Sequence, residues 1–377
     1  MSENPLLKLQ SFGQSIWLDF LSRALLASGR LKRLIEEDGL RGVTSNPAIF
    51  EKAIAGSSEY DDDIRTLARQ GKSAAEIYEA LTVADVQAAA DLFRPVYDRL
   101  DGRDGFVSLE VSPHLAYDTE GTIAEARHLW SRLGRPNVFI KVPATKPGLP
   151  AIRQLISEGV NVNVTLLFGL PRYREVAEAY IAGLEDRAAR GLPLDRVASV
   201  ASFFLSRIDV LLDPVLERIA QEGGTKGEIA RGLIGEVAIA SAKVAYQIYK
   251  EIYRGERFQR LARQGARTQR LLWASTSTKN PAYSDVKYVE PLIGPDTINT
   301  MPLETLNAYR DHGNPAPRLE EGVEHAYRVL EQLAQVGIDI DQATQQLEEE
   351  GVHKFVVPFD SLMALLESKR TAVLAVA

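Results

Sequence analysis

The chain has 377 residues, with 44 basic and 51 acidic side chains, five histidines and no cysteine. A net charge of −7 argues against a general nucleic-acid or membrane-surface binder. The absence of cysteine excludes disulfides, thiolate metal sites and thiol nucleophiles, and fits a cytoplasmic protein. Met1-Ser2-Glu3-Asn4-Pro5 lacks a basic region followed by an apolar run, so no secretory leader is expected. No uninterrupted apolar stretch approaches the span of a bilayer.

Short apolar strand candidates fall near 15–19, 41–45, 106–111, 137–142, 161–167, 197–203, 271–275 and 296–300. Segments with helical spacing, such as Val83–Phe93, lie between them. Pro95 is expected to kink or end that helix. Asp101, Gly102, Asp104 and Gly105 form a turn before the third strand. Eight alternations of strand and helix suggest an α/β chain whose parallel sheet closes as a (β/α)8 TIM barrel. An open doubly wound sheet is the competing architecture. The connections from about 51 to 105 and from about 207 to 270 are long and helical, so they hold inserted helices. Residues 318–370 read as two or three helices appended at the C-terminus. Without a long Pro/Gly/Ser linker or an internal repeat, one domain is expected over 1–377.

Lys141 lies in Val138-Phe139-Ile140-Lys141-Val142-Pro143, a run rich in strand formers. A lysine flanked this way is expected to be buried at a strand end. Burial disfavours the ammonium and lowers the pKa, and a neutral amine can form a Schiff base with a carbonyl. The same segment fits a surface lysine at the end of a half-exposed strand. In Asn161-Val162-Asn163-Val164-Thr165 and Ser108-Leu109-Glu110-Val111-Ser112 the polar residues share one strand face. In a sheet covered by helices that face points into the lumen. Unpaired burial costs about 1–3 kcal/mol per group, so a polar lumen implies hydrogen bonding or chemistry at the C-terminal mouth.

The sequence holds no GxGxxG, GxxxxGK[ST], GxSxG or HExxH motif, and its histidines show no metal-ligand spacing, so neither a cofactor nor a metal is expected. Asn163-Val164-Thr165 matches a glycosylation acceptor but falls in an expected buried strand. Polar residues do occur at several strand ends: Asp19 after Ile16-Trp17-Leu18, Asn46 in Gly42–Phe50, then Glu110, Lys141, Asn163 and Thr165. Singly, Asp19 could be a helix cap, Asn46-Pro47 a turn, and Glu110 a solvated strand residue. Together they occupy the positions from which barrels catalyse.

Four segments resemble a transaldolase of the long bacterial branch, within the class of Schiff-base aldolases. Gly42–Phe50, including Thr44 and Asn46, resembles the first family signature, and Val138–Thr145 with Gly148 and Leu149 the second, which carries the Schiff-base lysine. Asn161–Phe168 resembles the strand that follows, and Phe203–Asp209 the phosphate-side segment. The likeness runs from about residue 12 to 313 and extends more loosely over the C-terminal helices. It implies transfer of a dihydroxyacetone unit in the pentose phosphate pathway. The donor would be sedoheptulose 7-phosphate or fructose 6-phosphate, and the acceptor glyceraldehyde 3-phosphate or erythrose 4-phosphate. It further implies Lys141 as the imine-forming residue and Asp19 as acid and base. Glu110 and Thr165 would place the water of imine formation, while Thr44, Asn46 and Asn163 would contact the sugar. Arg207, with Ser202 and Phe204 nearby, would hold the phosphate. Its alternative is a helix-surface arginine in an ion pair with Asp209 or a neighbour. The family arginine after strand seven is missing here, and Lys279 in Trp273–Pro281 is the substitute candidate. Three other readings stand beside this one: an aldolase releasing free dihydroxyacetone, a non-catalytic sugar-phosphate-binding barrel, and a helical scaffold. Glu110, where the aldolase relative is expected to carry glutamine, favours the transferase. Either a monomer or a homodimer is compatible with the sequence.

Overall fold

Eight short runs of β-branched and aromatic residues become parallel strands in a computed structural model that describes residues 4–375. They are β1 (Gln14–Asp19), β2 (Gly42–Thr44), β3 (Phe106–Glu110), β4 (Val138–Pro143), β5 (Val162–Leu167), β6 (Ser199–Phe204), β7 (Arg270–Ala274) and β8 (Thr297–Met301). Each pairs with the next, and β1 pairs with β8, Leu18 facing Met301. That last pairing closes the barrel and rejects the open sheet. Every strand falls where the apolar pattern placed it. Residues Met1–Glu3, on which the leader reading partly rests, lie outside the described residues. No described helix is long and apolar enough to cross a membrane.

The inserted helices are present. Between β2 and β3 run Pro47–Ala55, Asp61–Arg69 and Ala74–Arg99, the last opened by a Ser73/Glu76 capping box. Pro95 does not end this helix, which continues to Arg99. It lies near the C-terminal end, where buried Phe93, Val96 and Tyr97 anchor the last turns in the core. Between β6 and β7 run Ser206–Glu222, Gly224–Leu233, Val237–Arg254 and Glu256–Ala262. After Leu303–His312, two appended helices span Val323–Gln335 and Ile340–Ala375. The long C-terminal helix packs on the first insertion and reaches the mouth of the barrel.

The lumen is divided along its axis. At its N-terminal end Trp17, Phe106 and Phe139 cluster, with the phenyl centroids 4.4 Å apart. Trp17 Nε1 donates to Asp104 Oδ1 at 2.8 Å, so the ring's one polar atom is satisfied. Gly42 makes room: a Cβ there would come within 2.5 Å of the indole. This aromatic layer separates the polar groups of the C-terminal mouth from a second polar group at the strand starts, where Arg270 Nη2 donates to Ser15 Oγ at 2.8 Å and Arg270 Nη1 lies 3.4 Å from Asp104 Oδ2.

Candidate active site

At the C-terminal ends of the strands, alternate side chains converge on one cavity of about 440 Å³. Asp19 from β1, Thr44 from β2, Lys141 from β4, Ser202 and Phe204 from β6 and Thr300 from β8 all line it. This volume suits a small substrate. A larger cavity, about 820 Å³, opens at the opposite end, where the strands begin. It holds arginines and aspartates but no lysine and no second acid–base pair beside a nucleophile.

Lys141 is 4 % exposed. Its Nζ donates to the Ser45 carbonyl at 2.9 Å and lies 3.3 Å from Glu110 Oε2. The register sets Glu110 directly beside Lys141 on the neighbouring strand. Burial pushes the Glu110 carboxyl above its ordinary pKa, against the pull of the Lys141 charge. Apart from the Lys141 ion pair, the Glu110 oxygens have no hydrogen-bond partner among the described residues, and the Thr165 hydroxyl is likewise buried without one. Such groups are costly unless something polar meets them.

Burial likewise raises the pKa of Asp19, opposed by Lys141 and by the Thr44 hydrogen bond. Thr44 Oγ1 donates to Asp19 Oδ1 at 2.7 Å and lies 2.7 Å from Thr300 Oγ1. A hydroxyl has one proton. With Thr44 spending its proton on ionised Asp19, Thr300 must donate to Thr44. The direction of this relay polarises Thr44 toward the carboxylate. Asp19 caps no helix, since Ser22 caps the one that follows.

Asn46 serves locally and faces the cavity at once. Its Oδ1 accepts from Ile49 N at 3.0 Å, capping Pro47–Ala55. The cap leaves its amide nitrogen for a ligand. Asn163 is sunk deeper. It donates to Ser108 Oγ at 3.1 Å and accepts from Ser202 Oγ at 2.6 Å, so it orients Ser202. Glu110, Asn163 and Thr165 thus stand behind the cavity wall, while the other predicted residues form it. Asn163 is fully buried, so the glycosylation match is inaccessible.

Arg207 is the second residue of Ser206–Glu222. Its guanidinium lies 5.4 Å from the Phe204 ring and 5.9 Å from the Phe355 ring. Its Nη1 is buried without a partner, and burial lowers its pKa. The surface pairing with Asp209 does not occur: Asp209 accepts instead from Tyr288 Oη and Ala238 N. Lys279 reaches the same cavity, its Nζ donating to Ser277 Oγ at 2.6 Å. A buried guanidinium and an exposed ammonium at one rim are suited to an anion.

The cavity also contains Lys52, Ser275, Thr300, Glu304 and Phe355, which the sequence reading did not select. Thr300 was within reach of strand alternation through Ile298 and Thr300. Ser275 has φ of 53°, a left-handed conformation rare for serine that marks the end of β7. Phe355 carries no sequence signal, since the C-terminal helix brings it from the far end of the chain. Gly351, one turn before, permits that approach: a Cβ would lie 2.9 Å from Leu166 Cδ2.

The family model for transaldolase/fructose-6-phosphate aldolase matches residues 16–366. The chain belongs to this family. It is 51 % identical over 379 aligned residues to transaldolase 2 of Nostoc punctiforme, covering 98 % of each chain. The transaldolase of Trichodesmium erythraeum is likewise 51 % identical, over 375 residues and 98 % of each. That of Thiobacillus denitrificans is 50 % identical over 352 residues, 93 % of this chain and 96 % of its own. The family match extends past β8 into the C-terminal helix, so the segment that delivers Phe355 belongs to the shared architecture.

Proposed function

We infer that the protein is a transaldolase, moving a dihydroxyacetone unit between a ketose phosphate and an aldose phosphate through an imine on Lys141. One observation carries this reading: a buried lysine amine, a carboxylate beside it and a second carboxyl group share the mouth of one barrel. Lys141 Nζ attacks the C2 ketone of the donor. The carbinolamine loses water, and the Glu110 carboxyl, ion-paired with Lys141, and the Thr165 hydroxyl, without a partner among the described residues, are suited to hold that water and shuttle its proton. Asp19 then takes the proton from the C4 hydroxyl. The C3–C4 bond breaks, and its electron pair flows into the iminium to give an enamine. The aldose product leaves, an acceptor aldehyde takes its place, and the same steps run in reverse. Ser202, oriented by Asn163, and the amide of Asn46 hold the hydroxyls of the retained unit. Arg207 and Lys279 receive the phosphate.

A transferase must keep water from protonating the enamine. Phe204 and Phe355, both near Arg207 and both lining the cavity, support that requirement by giving the site apolar wall. The test is borohydride reduction of protein incubated with fructose 6-phosphate, followed by peptide mass mapping. A three-carbon adduct on Lys141 is expected. No adduct there refutes the imine. Steady release of dihydroxyacetone without acceptor would assign the aldolase activity instead.

A further inference from the structure

Two tyrosines in the segment between β7 and β8 are joined to two aspartates on the helix that carries Arg207. Tyr288 Oη donates to Asp209 Oδ2 at 2.7 Å, and Tyr283 Oη donates to Asp213 Oδ2 at 2.6 Å. Asp209 and Asp213 lie one helical turn apart on Ser206–Glu222, so both bolts enter the same helix face. The other oxygen of each carboxylate is also engaged. Ala238 N donates to Asp209 Oδ1 at 2.9 Å, and Gly235 N donates to Asp213 Oδ1 at 2.8 Å. Each aspartate therefore ties three pieces of chain together: the Arg207 helix, the segment after β7, and the start of the helix Val237–Arg254. Lys287 closes the group. Its Nζ donates to Gly235 O at 2.7 Å and stands 4.4 Å from the Tyr283 ring centroid.

Core packing alone does not demand this arrangement. Both carboxylates are buried, Asp209 at 1 % exposure and Asp213 at 6 %. Burying two acids is costly unless their lone pairs are met, and here each has two donors. What the bolts hold in place is the segment whose first turn supplies Ser275, Ser277 and Lys279 to the cavity. Within the loop Thr278 Oγ1 donates to Ser284 O at 2.7 Å, and toward β8 Thr276 Oγ1 donates to Thr300 O at 2.9 Å while Asn299 Nδ2 donates to Tyr288 O at 3.2 Å. At its root, Ser206 N bonds Ser275 O at 3.0 Å, and the two hydroxyls lie 2.8 Å apart. The root and the two bolts thus join the first two turns of the helix bearing Arg207 to the segment bearing Lys279.

We propose that Tyr283 and Tyr288, bolted to Asp213 and Asp209, are positioning residues for phosphate recognition. They fix the separation of Lys279 from Arg207 so that both cations meet one phosphate. The proposal rests on the reading of Arg207 and Lys279 as the phosphate site. It goes further in assigning the precision of that site to side chains that touch neither cavity nor substrate. Cations held in advance bind the anion without the cost of ordering a loop.

The experiment uses Tyr283→Phe, Tyr288→Phe and the double variant in the full chain. Each removes only a hydroxyl and keeps the ring in its packing. In the double variant KM for fructose 6-phosphate is expected to rise roughly tenfold with kcat within about twofold. KM for unphosphorylated fructose should not change. Calorimetric titration with inorganic phosphate should show the same roughly tenfold loss. Equal rises in KM for both donors, or a lower melting temperature with unchanged phosphate affinity, would overturn the proposal. Should the double variant fail to fold, Tyr283→Phe alone decides, because that ring is only half-buried. Phosphate titration needs no turnover. A missing Lys141 adduct in the wild-type protein therefore sinks the transaldolase reading without touching this one.

Discussion

Replacing Thr44 by valine isolates the proton relay at Asp19. Valine matches threonine in shape but cannot donate, so Asp19 Oδ1 loses its 2.7 Å hydrogen bond and Thr300 loses its acceptor. A hydrogen bond to a charged group contributes about 1.5–3 kcal/mol. Ionised Asp19 should therefore become roughly ten- to a hundredfold less favoured against its protonated form. Burial already raises this pKa in the native protein. The base must be ionised to take the C4 proton, so activity falls as pH drops through the pKa. Losing a donor favours the acid, which moves that fall to higher pH. The assay is kcat/KM for fructose 6-phosphate with erythrose 4-phosphate across the acid range. The acid limb should shift upward in Thr44→Val, with the alkaline plateau kept within a few-fold. Imine trapping above the limb should be normal. A limb that stays in place or moves to lower pH refutes the assignment of Asp19 as base and of Thr44 as its donor.

Asp19→Asn should still form the borohydride-trapped imine but lose about 10²–10⁴-fold in kcat. Normal turnover would remove Asp19 from the mechanism. Lys141→Met should abolish both trapping and transfer while the barrel still folds. It leaves Glu110 buried without its cation, and with a pKa already above the ordinary value the carboxyl then takes up a proton on folding. Between the unfolded and folded pKa values the folded state binds more protons, so this variant should gain stability as pH is lowered through that window. Thermal melts at several pH values check the sign. Gly42→Ala places a methyl within 2.5 Å of an indole pinned by Asp104. Overpacking of this kind costs about 1–3 kcal/mol. A melting temperature lower by a few degrees is expected, with kcat at 25 °C retained. An unchanged melting curve would show that the N-terminal aromatic plug is loosely packed.

The barrel was legible in the chain because its strands are short apolar runs with period two and its connections have helical spacing. Local pattern settles such elements, and β1 through β8 appear where that pattern placed them. Lys141, Asp19 and Glu110 stood out as charges at the ends of expected strands, each with an ordinary reading when taken singly, and the structure gathers them at one end of the barrel. What the chain order could not convey was depth. Asn163 and Asn46 look alike as polar residues at strand ends. Yet Asn163 spends its amide on Ser108 and Ser202 beneath the cavity wall, whereas Asn46 keeps a nitrogen at the cavity. Only closure of the barrel assigns each residue to a layer. Of the two outcomes expected at Pro95, the helix end does not occur, since buried neighbours carry the helix on to Arg99.

The linear pattern of apolar and polar side chains determined the sheet, its helical cover and the strand that bears Lys141, because these follow from local periodicity and desolvation. Tertiary structure alone decided which side chains meet. It brought Phe355 from the C-terminal helix over Arg207, set Thr300 behind Thr44, and tied Tyr283 and Tyr288 to Asp213 and Asp209. Those pairings join residues far apart in the chain. Their energies exist only once closure and packing have met the entropic cost of bringing them together.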